Sequence, residues 1–235
     1  MKYPESLVMG TLIKRYKRFL ADVRLEDGSE ITIHCANTGS MKNCAEPGSP
    51  VWFSDSHNEK RKYRHTWEIV GVEAGAMAGI NTGFANKLVQ EAIELDVVPV
   101  LVGYDQLRRE VKYGEENSRI DILLESEGRA PCYVEVKSVT LGVGQVASFP
   151  DAVTERGRKH LRELISVVEQ GHRAVLFFCV QHTGVNVVRP ADEIDQKYGE
   201  TLRQAVAAGV EVMAWQADIS AEEITLVREL PVNLD

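Results

Sequence analysis

Over roughly the first seventy residues, short apolar runs alternate with polar turns. The runs at positions 7–13, 19–25, 31–35, 51–53 and 66–72 predict five strands, with a hairpin turn at residues 26–29. No helical period interrupts them. The pattern therefore predicts a small OB-like β-barrel over residues 1–80.

Beyond a small-residue linker at positions 73–83, the pattern changes to a helical one. A stripe of Phe84, Leu88, Glu91 and Leu95 predicts the first helix, and further helices are expected at about 152–170 and 198–208. Strands are expected at 173–180 and 210–215, and the first of these is apolar throughout, as in a central strand covered on both faces. Residues 81–235 are therefore predicted to form an α/β domain with a mixed sheet.

Two strand-like segments, Ser118 to Glu125 and Pro131 to Ser138, flank a polar break and predict a β-hairpin. If the arms pair about Gly128, Asp121 lies opposite Glu135, with Cβ atoms about 4.5–5.5 Å apart. A slip of one residue would move Asp121 to the other face of the hairpin. This register therefore requires a loop of odd length or a compensating bulge.

Two carboxylates beside a lysine have a chemical use. Glu135 and Lys137 share a strand face. Two opposed carboxylates are costly unless a cation neutralises them, and Mg²⁺ accepts one or two carboxylates together with water and phosphate oxygens. Asp121, Glu135 and Lys137 are thus candidate catalytic residues for metal-assisted phosphodiester chemistry. The alternative is that they form the solvated side of an amphipathic hairpin.

Glu91 is a carboxylate on an otherwise apolar helix face. It either lies at the edge of the core or points to a positive group. On the second interpretation Glu91 is a further metal ligand, with Asp121 and Glu135, for the expected Mg²⁺ or Mn²⁺.

The net charge of −8 is unevenly distributed: residues 1–80 sum to +1 and residues 81–235 to −9. Basic residues cluster with aromatic ones at positions 14–18 and 60–64, a pattern typical of barrels that bind single-stranded nucleic acid. A basic face is also expected on the helix at about 152–170. The candidate nucleic-acid-binding residues are Lys14, Arg15, Lys17, Arg18, Lys62, Arg64, Arg158 and Lys159. The alternative is that the aromatic rings fill the barrel and the charges only solubilise it.

The polar loop Asn37 to Lys42 is a candidate phosphate receptor or a plain connection. The four cysteines lack metal-binding spacing and are expected to be buried thiols, and His160, His172 and His182 lack ligand spacing and are expected to be ordinary surface or core histidines. No secretory signal or apolar span is present, so a cytoplasmic protein without membrane association is expected. A homodimer is compatible with the sequence.

The D-(x13)-E-x-K arrangement, between a helix bearing Glu91 and a basic amphipathic helix, resembles the PD-(D/E)xK nuclease superfamily. The whole chain resembles the sugar fermentation stimulation protein A family. The matching segments are H-C-A-N-T-G-S-M from His34, N-T-G-F-A-N-K-L-V from Asn81, S-R-I-D from Ser118, Y-V-E-V-K-S-V-T from Tyr133 and F-P-D-A-V-T-E-R-G-R-K-H-L from Phe149. Ile120 stands where the superfamily motif has proline.

The resemblance implies an OB-like domain followed by a restriction-endonuclease-like domain. It further implies DNA binding without marked sequence preference and a regulatory role in bacterial sugar (maltose) metabolism. Asp121 and Glu135 would hold metal and Lys137 would act in catalysis, while Glu91 corresponds to an acidic helical residue of many members. Two functions remain open: a metal-dependent nuclease acting on DNA or, as the less favoured substrate, RNA, and a non-catalytic nucleic-acid-binding regulator with a vestigial nuclease fold.

Overall fold

The structure is a computed structural model that describes residues 1–114 and 118–235. The N-terminal part contains six strands: β1 (Val8–Tyr16), β2 (Leu20–Arg24), β3 (Glu30–Cys35), β4 (Pro50–Asp55), β5 (His65–Gly71) and β6 (Met77–Gly79). Strands β1, β2 and β3 pair antiparallel in sequence order, and β1 also pairs with β4, which pairs with β5. A parallel pairing of β3 with β5 closes a five-stranded barrel, to which β6 adds along β5. The predicted OB-like barrel is confirmed.

Alternating residues of these strands fill the barrel, as the period of two requires. Leu12, Val23, Ile33 and Phe53 are buried, together with the ring of Trp67. Trp67 donates its indole N–H to the carbonyl of Ile69 at 2.9 Å, so burial leaves no polar atom of the indole unsatisfied.

The C-terminal part is built from three helices and nine strands in the described ranges. The helices are α1 (Ala85–Glu94), α2 (Glu155–Glu169) and α3 (Asp192–Ala207). The strands are β7 (Gln106–Tyr113), β8 (Ser118–Ser126), β9 (Arg129–Val139), β10 (Gly142–Val143), β11 (Val146–Phe149), β12 (Arg173–Val180), β13 (Val187–Pro190), β14 (Glu211–Ile219) and β15 (Ile224–Leu230).

Six of these strands form a mixed sheet in the order β15-β14-β12-β9-β8-β7. β12 is parallel to both β9 and β14, and the remaining pairs are antiparallel. The sheet separates two apolar clusters, one formed with α1 and the other with α2 and α3. β12 contributes to both clusters, so the predictions of a mixed-sheet α/β fold and of a doubly covered central strand are confirmed. Strands β10, β11 and β13 make a small separate sheet.

Several element boundaries differ from the sequence-based expectation. α2 begins at Glu155 because Thr154 caps it, its Oγ1 accepting the N–H of Gly157 at 3.0 Å, and this leaves Val153 exposed before the helix. α3 begins at Asp192, earlier than predicted. In α1 the buried face is Ala85, Leu88, Val89, Ala92 and Ile93, so Leu95, predicted to extend the apolar stripe, is instead 68% exposed.

All four cysteines are buried free thiols. In the described ranges, no helix has both the length and the apolar character needed to cross a membrane.

Candidate functional site

The hairpin formed by β8 and β9 has the predicted register. Ile122 pairs with Val134, Leu123 with Tyr133 and Leu124 with Cys132. The register shifts between Leu124 and Ser126, which is the compensating bulge that this alignment requires. Asp121 and Glu135 are the next residues along the two strands and therefore lie at the same level.

At Asp121, strand β8 separates from β9. The backbone pairing ends at Ile122, and the Asp121 carboxylate accepts the N–H of Val136 at 2.8 Å. Ile120 packs on the α2 side of the sheet, whereas Ile122 packs on the α1 side. The strict alternation predicted for β8 is therefore wrong at this point, because the strand changes its facing where it leaves its partner.

The second oxygen of Asp121 is held by helix α1. Asn86 donates its side-chain N–H to Oδ1 of Asp121 at 2.8 Å. Burial, followed by the negative charge of nearby Glu135, raises the pKa of Asp121 from 3.8 to about 6. Asp121 and Glu135 are therefore electrostatically coupled, although Asp121 is held from the α1 side and Glu135 from the α2 side.

Glu135 is the most deeply buried member of the cluster, with 2% exposure. Its Oε1 accepts from Nζ of Lys137 at 2.6 Å and from Nδ1 of His160. Its Oε2 is buried without a hydrogen-bond partner among the described residues. Burial opposes ionisation of Glu135, but the charge of Lys137 and the contact with His160 hold its pKa below the ordinary value. Glu135 is thus a buried carboxylate with one oxygen satisfied and one available.

His160 of α2 completes the α2 side of the cluster. Its Nε2 lies 3.3 Å from Nε of Arg156, which can only donate, so the hydrogen-bond pattern assigns the ring proton to Nδ1. Lys137 Nζ lies 3.1 Å from the same Nδ1. His160 is thus a buried core histidine, one of the two environments expected for it, and its contact with Glu135 was not predicted. The available signal was its position, with Gly157, Leu161 and Leu164, on the buried stripe of a helix.

Two buried phenols lie near the carboxylates. The hydroxyls of Tyr113 and Tyr198 have no hydrogen-bond partner in the described part of the chain. Burial, then the charge of Glu135, raises the pKa of both phenols. Both therefore stay protonated and provide neutral donors close to Glu135.

Glu91, predicted as a third metal ligand, is not brought to this cluster. Its Oε2 pairs with the amino group of Met1 at 2.6 Å. Five residues correspond to about 140° around a helix, so Glu91 and Asn86 point in different directions. Asn86, which sequence reasoning missed, is the α1 residue that contacts Asp121.

Four of the predicted nucleic-acid-binding residues make hydrogen bonds or ion pairs with other residues of the chain. Arg15 donates to the carbonyls of Asn37 and Gly39, at 3.0 Å and 2.9 Å, and Arg18 donates to that of Thr38. Arg64 forms a two-point ion pair with Asp55, and Arg158 does so with Asp195.

The other four basic residues differ in exposure: Lys14, Lys17 and Lys62 are exposed, whereas Lys159 is half-buried. Trp67, an aromatic residue just beyond the second basic cluster, lies in the barrel core and is not available for stacking.

The polar loop from Asn37 to Lys42 meets the α/β domain. Asp151 Oδ2 accepts the N–H groups of Ser40 and Met41, at 3.0 Å and 3.2 Å, and Gly39 N–H donates to the Asn37 side chain. These N–H groups are therefore satisfied within the chain and do not form an open phosphate receptor. Between this loop and the end of β9 lies a cavity of about 240 Å³. Its wall includes Ser138, the neighbour of Lys137.

The carboxylates of the cluster are the candidate ligands of a metal ion. In residues 1–114 and 118–235, no group of three or more His, Cys, Asp or Glu side chains is arranged to hold one. Mg²⁺, however, is commonly bound by only one or two carboxylates, with water and substrate phosphate as the other ligands. The open Oε2 of Glu135 beside Asp121 provides that donor set.

Comparison with known proteins agrees with both halves of the fold. The profile of the sugar fermentation stimulation protein RE domain matches residues 83–223, and that of the SfsA N-terminal OB domain matches residues 13–80. A sugar fermentation stimulation protein homolog of Shewanella denitrificans is 59% identical over 99% of both chains. One of Teredinibacter turnerae is 60% identical over 100% of both chains.

A solved structure shares the whole architecture. It is described as the structure of Pyrococcus furiosus SfsA in complex with Ca²⁺ and is similar to this chain with a TM-score of 0.87. The sequence identity is 30%, and the alignment covers 99% of this chain and 98% of the other. The chain therefore belongs to the sugar fermentation stimulation protein (SfsA) family.

Proposed function

We propose that the protein is a DNA-binding, divalent-metal-dependent phosphodiesterase whose site is formed by Asp121, Glu135 and Lys137. The observation that carries the proposal is the unpartnered Oε2 of Glu135. A buried ionised oxygen without a partner is costly, and a cation is the ligand that removes the cost. Asp121 lies close enough to raise this cost further.

Asp121 and Glu135 are the residues that would hold Mg²⁺ or Mn²⁺. When bound, such an ion supplies positive charge for a phosphoryl oxygen and lowers the pKa of a coordinated water. The same fold occurs in the relative whose description includes Ca²⁺, a cation that also prefers oxygen ligands. This similarity supports the choice of a divalent cation.

The protein's own groups have distinct tasks in this proposal. His160 and Lys137 occupy Oε1 of Glu135 and so leave Oε2 to face the ion. The Val136 N–H and Asn86 orient the carboxylate of Asp121. The ammonium of Lys137, 12% exposed, is positioned to interact with the phosphate on which negative charge develops.

A second function is favoured by one observation. The absence of a three-ligand group in the described residues would suit a protein that binds DNA and regulates sugar metabolism without cleaving it. The nuclease fold would then be vestigial. The two functions share DNA binding and differ in the chemical step.

The decisive experiment incubates the purified protein with labelled DNA and RNA in Mg²⁺, Mn²⁺ or chelator. We expect metal-dependent cleavage, and a loss of about 100-fold or more in the rate for Asp121→Asn and Lys137→Ala. Glu91→Gln is the matched control, since Glu91 lies outside the cluster, and it should retain the wild-type rate. Binding without cleavage by the wild type would support the regulator and refute the phosphodiesterase. Equal cleavage rates in all variants would refute the assignment of the site to Asp121 and Lys137.

A further inference from the structure

Three basic side chains that the sequence patterns did not single out lie beside the carboxylate cluster. Arg109 and Lys112 are exposed residues of β7, and Arg119 is an exposed residue of β8. We call these three residues the basic strip. Strand β7 is the edge of the six-stranded sheet and pairs only with β8 among the described strands, so the strip is not covered by a further strand.

The basic strip and Asp121 lie on the same side of the sheet, the side on which α1 packs. Arg109 Nη1 lies 3.4 Å from Oε1 of Gln90, one helical turn beyond Asn86, which holds Asp121. Ser118 contacts Glu163 of α2, and Ile120 packs in the α2-side cluster. By alternation, Arg119 between them faces the α1 side.

Lys112 and Arg119 are directly opposed across β7 and β8. Side chains in such positions have Cβ atoms about 4.5–5.5 Å apart, and like charges there destabilise the sheet. The cost is removed when an anion lies between the two groups. An opposed cation pair at an exposed sheet edge is therefore a candidate anion-binding feature.

No carboxylate of the described residues forms an ion pair with the basic strip. Arg119 donates to the backbone carbonyl of Glu110 at 2.9 Å, and Arg109 contacts the neutral amide of Gln90. Within residues 1–114 and 118–235, no ion pair involves any of the three side chains. The adjacent Arg108, in contrast, pairs with Glu125 at 2.7 Å. The strip is thus positively charged beside an otherwise acidic domain.

The spacing suits the phosphates of one nucleic-acid strand. Arg109 and Lys112 are separated by about 10 Å along the strand, a length that covers a few phosphates. Arg119 precedes Asp121 by two residues on β8. A nucleic-acid strand bound along the basic strip therefore ends at the carboxylate cluster of Asp121 and Glu135.

We propose that the basic strip binds consecutive phosphates of the nucleic acid and leads the strand to Asp121 and Glu135. This inference rests on the proposed function, because it assigns the substrate-binding surface of the same site. The partner is a phosphodiester backbone, and DNA and RNA arms of the experiment distinguish its source.

The test compares a triple variant, Arg109→Gln, Lys112→Gln and Arg119→Gln, with the wild type. A matched control, Arg24→Gln, Arg189→Gln and Lys197→Gln, has the same net charge but changes residues elsewhere, of which Arg24 and Lys197 are exposed and Arg189 is half-buried. Affinities for labelled DNA and RNA are measured by fluorescence anisotropy at several salt concentrations, in chelator so that cleavage does not interfere. Circular dichroism and thermal melting verify that all proteins are folded.

Each phosphate contact contributes about 0.7–0.9 to the slope of log affinity against log salt. The strip variant should therefore have a slope smaller by about 2 to 3, whereas the control should keep the wild-type slope. A charge-preserving variant, Arg109→Lys, Lys112→Arg and Arg119→Lys, should retain most of the binding. Equal slopes for the strip variant and the control, or no binding by the wild type, would overturn the inference.

The outcome is separable from that of the cleavage experiment. If the wild type never cleaves and the strip variant has a smaller salt slope, the binding role of the basic strip is supported and the phosphodiesterase is refuted. Metal-dependent cleavage with an unchanged slope would do the reverse.

Discussion

Two deeply buried carboxylates, Asp195 and Glu135, differ in whether both of their oxygens have hydrogen-bond donors. Asp195, 5% exposed, accepts from Arg158 with both oxygens, at 2.9 Å each, and also from the N–H groups of Thr154 and Tyr198. Glu135, 2% exposed, has all its partners among the described residues on one oxygen. The first carboxylate joins α2 to α3, and the second retains an unsatisfied oxygen inside the protein.

We therefore distinguish a structural charge, Asp195, from a functional charge, Glu135. A buried charge that has donors on every side contributes to a unique packing, and removing it leaves its partners stranded. A buried charge that lacks donors lowers stability and is retained because an external ligand completes it. The number of partners, more than the depth of burial, distinguishes the two roles.

The largest expected effect is on the structural charge. Asp195→Ala leaves the guanidinium of Arg158 buried without its carboxylate, and we expect a loss of about 3–5 kcal/mol in the free energy of unfolding. Asp192→Ala is the control, because the Asp192–Arg203 pair is half-exposed and should contribute less than about 1 kcal/mol. Urea unfolding monitored by circular dichroism measures both. Equal losses would show that Asp195 is not the structural charge.

Replacing Asp121, the carboxylate beside Glu135, should change the free energy of unfolding in the opposite direction. The folded pKa of Asp121, about 6, lies above the ordinary value of 3.8, so the metal-free folded state binds more protons than the unfolded state between these values. Stability of the wild type in chelator should therefore fall as pH rises through this window, by up to about 3 kcal/mol. Asp121→Asn cannot ionise, so it should be the more stable protein at pH above about 7, with the difference vanishing near pH 4.

Divalent cations provide a second test of the role of Asp121. Millimolar Mg²⁺ or Ca²⁺ should raise the melting temperature of the wild type and leave that of Asp121→Asn unchanged, because a ligand stabilises only the state that binds it. A wild type more stable than the variant in chelator at neutral pH would contradict the assignment of Asp121 as a carboxylate whose ionisation is opposed by burial and by the charge of Glu135.

The smallest effect concerns a carboxylate at the boundary between barrel and α/β domain. Asp151 accepts two N–H groups and the hydroxyl of Ser40, much as Asp195 accepts its donors, but it is less deeply buried. Asp151→Ala should cost about 1–2 kcal/mol, measured by the same urea unfolding. Glu26→Ala, at an exposed turn, should be neutral. A neutral Asp151→Ala would mean that this contact does not join the two parts.

Parts of the site were predictable because they depend on local pattern. The alternation of β8 and β9 around a glycine turn, with a bulge, placed Asp121 level with Glu135, since each strand has a period of two. The same reasoning predicted the barrel and the doubly covered strand β12. The loss of alternation at Asp121 was not predictable, because it arises where the two strands separate.

The remaining features of the site depend on contacts between distant segments. His160 reaches Glu135 from a helix 25 residues further along the chain, and Asn86 reaches Asp121 across 35 residues. Arg158 was predicted to bind nucleic acid, but its guanidinium pairs with Asp195. Local patterns in the sequence identify the residues that alternate, and therefore the strands, the barrel and the level of the two carboxylates. Which charges find partners depends instead on packing between helices and sheet, which no local period encodes.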